Sequence, residues 1–217
     1  MSHARRFQAQ GLTGVALPGA VAVAERMLAV QAQDYPAAQW ALGVRSPGTT
    51  LHDVQAVISA GEIVRSWPMR GTLHFVPARE LGWMQNLTTP RLLAKTRTIN
   101  ERLGLDWAVL ERAREAAIAA LTGQKQLSRA EFMAMLRATA ISTEGQRGHH
   151  MIVHLARTGT LCWGRHVGTQ QGLLLDEWVP NPRRFERDEA LGEFVYRYFL
   201  GHGPATLVDS ACQIGRP

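Results

Sequence analysis

"EIVRSWPMRGTLHFVP", residues 62–77, decides how the rest of the chain is read. Residues 63–67 and 72–76 are rich in β-branched and aromatic side chains and flank a Pro-Met-Arg-Gly turn, which predicts a hairpin of two short strands. Upstream lie three helical patterns. The first, over 18–31, puts Val21, Ala24, Met27, Leu28 and Gln31 along one side. Asp34-Tyr35-Pro36 ends it, because the residue before a proline is pushed out of the helical region. A second helix fits 37–44, and Thr50 caps a third over 51–60, which Gly61 closes. Three helices and a hairpin are the layout of a winged helix-turn-helix.

The layout then recurs. Residues 106–121 predict a helix, and Ser128 caps another, with Glu131 three residues later completing a capping box. A third helix is expected over 146–158, with strands over 160–163 and 172–175. The expected fold is mainly α with short β-hairpin wings, an α+β chain of tandem winged helix-turn-helix units. Its divisions are a first unit at 1–77, a helical connector at 78–105, a second unit at 106–180 and the incomplete start of a third at 181–217. "DEALGEFVYRYFLGHGPATL" (188–207) supplies one helix, a turn and the start of another before the sequence stops. Such a stub is expected to leave its apolar face uncovered, as in a C-terminally truncated protein.

The bulk numbers set limits. At 217 residues, 46% hydrophobic and 19% charged, the chain has the make-up of a globular protein able to bury a core. No stretch approaches the roughly 20 apolar residues of a membrane helix, and "MSHARRFQAQ" lacks the apolar centre of a signal peptide. Cys162 and Cys212 make no metal-ligand spacing, so a cytoplasmic protein with reduced thiols is expected. The net charge of +6 is carried almost wholly by arginine, the only lysines being Lys95 and Lys125. Arginine suits phosphate and guanine edges, although a genome that writes Arg for Lys gives the same balance.

Four stretches, "LAVQAQDYPAAQWALGVR" (28–45), "IVRSWPMRGTLHFV" (63–76), "LSRAEFMAMLRATAISTEGQRGHH" (127–150) and "RYFLGHGPATLVD" (197–209), resemble in order the bacterial winged-helix family that includes the AlkZ-like DNA glycosylases. The likeness runs to about Asp209. It implies tandem winged-helix units around a cleft for duplex DNA, in members longer than this chain. It also implies a catalytic Gln-aliphatic-Gln motif, found as Gln-x-Asp in a sister branch; here Gln31-Ala32-Gln33 stands at that place. The expected partner is alkylated double-stranded DNA, in the cytoplasm and on the nucleoid when bound. No metal, small-molecule cofactor or membrane is called for.

A pair of glutamines is chemically informative. An amide has no useful basicity near neutrality, so it cannot take a proton from water as a carboxylate does. It can hold a water, and its carbonyl dipole can stabilise positive charge on a sugar. That suffices only for a good leaving group, such as a purine made cationic by alkylation at N7 or N3. Asp34 is adjacent and ionisable, but a residue at a helix end points away from its neighbours. Without the resemblance, helix-end solvation explains both glutamines equally well.

Other candidates are Arg70, at the hairpin tip where a wing reaches phosphate or the minor groove, and His74 on the returning strand. Alternatively Trp67, Leu73 and Phe75 pack the wing while Arg70 is a solvated turn residue and His74 is structural. Arg147 and His149 fall on the recognition helix of the second unit, and Arg157 and Arg165 flank its wing. His150 and His154 have an i, i+4 spacing but no HExxH pattern or third ligand. Trp40, Trp83, Trp163 and Cys162 are expected in the core. Three readings follow: a DNA glycosylase, a non-catalytic DNA-binding regulator, or an inactive shortened remnant.

Overall fold

The computed structural model describes residues 3–167, 169–179 and 181–214; the side chains of 165–171 and 173 lie outside the description. After a short leading helix, α1 (His3–Ala9), the first unit runs α2 (Ala20–Met27), β1 (Val30–Gln31), α3 (Tyr35–Gly43), α4 (Leu51–Ser59), β2 (Ile63–Met69) and β3 (Thr72–Pro77). A 3-10 turn, Ala78–Glu80, leads into the connecting helix α5 (Leu81–Arg102), about 33 Å long at 1.5 Å per residue. The second unit repeats the order as α6 (Trp107–Leu121), β4 (Leu127–Ser128), α7 (Arg129–Ala138), α8 (Arg147–Arg157), β5 (Leu161–Val167) and β6 (Thr169–Leu174). A single turn, α9 (Leu175–Trp178), precedes α10 (Arg187–His202) and α11 (Leu207–Gln213).

Each unit is a winged helix-turn-helix, with the short strand after its first helix paired to the returning strand of its wing. Local chemistry sets the helix starts. Thr50 with Asp53 and Ser128 with Glu131 form reciprocal capping boxes, each satisfying two backbone donors that a helix end leaves open. The two wings are joined in one antiparallel sheet of order β1-β3-β2-β5-β6-β4. Arg65 of β2 lies opposite Trp163 of β5 at the seam. Apolar residues fill both sides: Val23, Leu42, Ile58, Ile63 and Phe75 in the first unit, and Leu121, Phe132, Leu136, Met151 and Leu155 in the second.

The structure corrects several sequence expectations. The first helix stops at Met27 instead of continuing to Gln31, because Leu28 takes a left-handed conformation at φ 63° and turns the chain into β1. Trp40, expected in the core, is 75% exposed, whereas Trp83, Trp163 and Cys162 are buried as expected. Burial pushes the Cys162 thiol up to about 12, so it is an inert core residue. The C-terminal segment is covered along one side of α10, where Ala190 and Phe194 are buried with Leu28, Val76, Trp83 and Met84, while Tyr196 of α10 and Leu207 and Val208 of α11 stay exposed as expected. Among the described residues, no helix is long and apolar enough to cross a membrane.

Candidate functional site

Gln31 and Gln33 stand on extended chain, not at a helix end. Val30 and Gln31 pair with Phe75 and His74 of β3, and the Ala32 amide donates to the Leu73 carbonyl at 2.7 Å. In extended chain, alternate side chains share a face. Ala32 is therefore fully buried while Gln31 and Gln33 are both exposed on one side.

Two arginines hold this strap. Arg65 reaches from β2 to donate through Nε to the Ala32 carbonyl at 2.8 Å and through Nη2 to the Gln33 carbonyl at 3.1 Å. Its guanidinium lies over the Tyr35 ring at 5.6 Å, and Tyr35 meets Phe75 edge to face. Arg70 donates through Nη2 to Gln31 Oε1 at 3.2 Å. The Leu73 amide donates to Gln33 Oε1 at 3.3 Å, so one lone pair of each glutamine carbonyl is engaged and a second remains. Asp34, next to Gln33 in the chain, caps α3 by accepting from the Ala37 amide at 2.9 Å, so one of its carboxylate oxygens is engaged there.

Arg70 sits at φ 53° and Gly71 at φ 77°, between the facing residues Met69 and Thr72. That is a two-residue turn of type I′, which favours Asn-Gly; an arginine at its first position is conformationally costly. The exposed side chain explains its presence, since Arg70 is what brings a cation to Gln31. His74 is 3% exposed and bonds through Nδ1 with the Thr72 carbonyl at 2.9 Å. Burial first, against the Thr72 bond and with the Arg70 charge, lowers its pKa to about 4. A neutral ring beneath the surface does not meet a phosphate, so the DNA contact expected of His74 gives way to a place in the floor behind Gln31.

The second recognition helix carries a larger correction. Met151, Ile152, Val153, Leu155, Ala156 and Arg157 are all buried, so α8 packs between the sheet and its neighbouring helices and presents little surface to a groove. Arg147, expected on DNA, donates to the carbonyls of Leu103, Gly104 and Ser142 and fastens the end of α5. His149 is half-buried; burial, and then the charges of Arg129, His150 and Arg157, hold its pKa down. Arg165 lies on β5, and its side chain is outside the described residues.

Beside Gln31 is a cavity of about 320 Å³ lined by Gln31, Arg45, Arg70, His74, Tyr198 and His202, among others. Phe194, Tyr198 and His202 of its lining come from α10, which the sequence did not connect with the glutamines. Arg65, Arg45, Tyr198 and His202 are the site residues that sequence reasoning missed. For Arg65 there was a signal, a cation inside an otherwise apolar strand.

An extended Gln-Ala-Gln strap held against a wing by arginines, on tandem winged-helix units, defines a winged-helix type of scaffold, and the chain belongs to the AlkZ-like DNA glycosylase family, whose model matches residues 24–215. It is 26% identical over 225 residues, 93% of this chain, to an interstrand DNA cross-link repair glycosylase of Streptomyces sahachiroi. The solved structure of the Streptomyces sahachiroi DNA glycosylase AlkZ superposes with a TM-score of 0.78 over 97% of this chain at 24% identity, a likeness of fold. The chain spans 56% of the first relative's length and 59% of the second's.

Proposed function

We propose that the chain binds duplex DNA and hydrolyses the N-glycosidic bond of purines made cationic by N-alkylation, with Gln31 and Gln33 as the catalytic pair. The observation that carries this reading is that both glutamines share one exposed face while Asp34, their carboxylate neighbour, caps a helix. The two glutamine side chains are themselves neutral and offer no general base. They suit a reaction in which the bond from C1′ to the base nitrogen breaks unaided by acid, its electron pair neutralising the cationic purine. The sugar passes through an oxocarbenium-like state, which the free lone pairs of the two amides stabilise. A water held by the same amides bonds to C1′, and its proton leaves to solvent. The scheme uses no metal and no small-molecule cofactor.

Arg70, at the wing tip, serves as a contact to the DNA backbone. Residues 1–77 and 106–180 act as the two winged-helix units on either side of the 78–105 connector, with 181–217 beginning a third. The work lies on the nucleoid, in the cytoplasm. A leaving-group comparison tests the chemistry: single-turnover release from duplexes carrying either N7-methylguanine or neutral hypoxanthine. Release of the cationic base at least about 1,000-fold faster, about 4 kcal/mol of barrier, is expected. Equal rates would require a proton donor that the glutamine pair does not provide.

A further inference from the structure

The cavity beside Gln31 contains more positive charge than a base-excision site needs. Arg45 and Arg70 both line it, and the charges that reach His202 are theirs. Arg6, on α1, adds its charge at Tyr198. Neither Arg45 nor Arg70 has a carboxylate within ion-pair distance among the described residues, and no carboxylate lines the cavity. One acid, Asp209, acts on Tyr198, and it is engaged at its own helix cap, accepting from the Thr206 amide at 2.7 Å and hydroxyl at 2.9 Å.

Donors are also available. Arg45 gives Nε to the Gln10 carbonyl and Nη1 to the Ala41 carbonyl, which fixes the guanidinium and leaves Nη2 without a protein partner among the described residues. His202 stacks flat on Tyr198, with ring centroids 4.7 Å apart, and its Nδ1 lies 3.3 Å from the Tyr198 carbonyl, leaving Nε2 over. Fixed guanidiniums without a counter-charge are what an oxyanion requires, and an anion seated beside them favours the protonated His202 ring, whose Nδ1 donates to the Tyr198 carbonyl and whose Nε2 then donates to the anion.

We infer that this cavity is an oxyanion subsite that seats a backbone phosphodiester of the DNA next to the Gln31 amide, held by Arg70, Arg45 and His202. The inference rests on the DNA-glycosylase reading for the identity of the anion. Charge decides between the two parts of a nucleotide that could enter: two arginines repel a cationic alkylpurine and attract its phosphate. The seat also resolves a difficulty at Gln31. Arg70 bonded to that carbonyl would oppose an oxocarbenium ion beside it, and a bound phosphodiester cancels that charge and places a negative one near the sugar.

Two probes test it. Inorganic phosphate, titrated into wild type while the His202 ring resonance is followed by NMR, is expected to move that resonance saturably in the millimolar range. The response should vanish in Arg45→Gln and survive in Arg45→Lys, which keeps a charge and controls for folding. Duplexes carrying N7-methylguanine and one neutral methylphosphonate, moved through the flanking positions, supply the second probe. One position is expected to weaken wild-type binding about 10-fold and His202→Gln binding less than twofold. An unmoved His202 resonance, or losses that simply multiply at every position, overturns the proposal. A phosphate response without a coupled methylphosphonate position assigns the seat to a small phosphorylated molecule and overturns the DNA assignment. Coupling without base release leaves the phosphodiester seat standing and removes the glycosylase reading instead.

Discussion

Glutamine side chains exchange no proton near neutrality, so in the proposed reaction Gln31 and Gln33 act through their dipoles, and dipoles act only when aimed. Arg65 fixes the backbone of the strap and Arg70 and the Leu73 amide fix the side chains. The motif itself was visible in the sequence, but its geometry was not, since nothing in "AVQAQD" announces that the chain leaves the helix at Leu28. His74 provides a residue-scale test of the buried floor. Its ring is neutral in both states above its ordinary pKa of 6.5, and the native state resists protonation until about pH 4. Its contribution is therefore fully present above pH 6.5 and lost as pH falls toward 4, by on the order of 3 kcal/mol. Urea midpoints at pH 7, 5.5 and 4.5 should fall steeply for wild type and less so for His74→Asn. Equal slopes would mean that the ring is not buried neutral.

Hairpins are legible at the scale of elements because a two-residue period and a turn signal coincide, as in the first wing; the second wing is also found, but β5 runs on to Val167 and β6 starts at Thr169, well beyond the expected 160–163 and 172–175. Strand β1 was illegible for the opposite reason. Its two residues continue the apolar spacing of the preceding helix, and only the left-handed Leu28 separates them. Helix α8 lies where the sequence places it, and its depth was what the sequence did not show: it is amphipathic, but Met151, Ile152, Val153, Leu155 and Ala156 are all buried. The first wing turn gives a stability–function test. Arg70→Asn suits the type I′ turn and is expected to stabilise the hairpin by about 0.5–1 kcal/mol. The same change should weaken duplex binding several-fold and lower the salt dependence of that binding by about one phosphate contact. Lower thermal stability, or unchanged DNA affinity, would contradict the role given to Arg70.

Across the whole molecule, the two wings share a sheet and α10 closes the cavity beside Gln31, an arrangement set by contacts far apart in sequence. Glu80, fully buried at the start of α5, anchors it: Arg79, Arg183 and Arg197 lie within 3.5 Å of its carboxylate, and the Trp83 indole donates to it at 2.6 Å. No local pattern pairs residue 80 with residues 183 and 197, which is why the sequence suggested an uncovered third unit. Removing one partner of a buried charge cluster is costly, so Glu80→Ala is expected to lose about 3–5 kcal/mol of stability in urea unfolding. A loss below 1 kcal/mol would mean that α10 docks without it. The central claim is that two neutral amides on one strap perform base excision, and its most direct test is single-turnover release from a duplex with one N7-methylguanine. Wild type should release the base, Gln31→Ala and Gln33→Ala should each slow release about 100-fold or more while still binding, and Asp34→Ala should stay within a few-fold of wild type. Duplex binding by wild type without release, or undiminished release by Gln33→Ala, would contradict it.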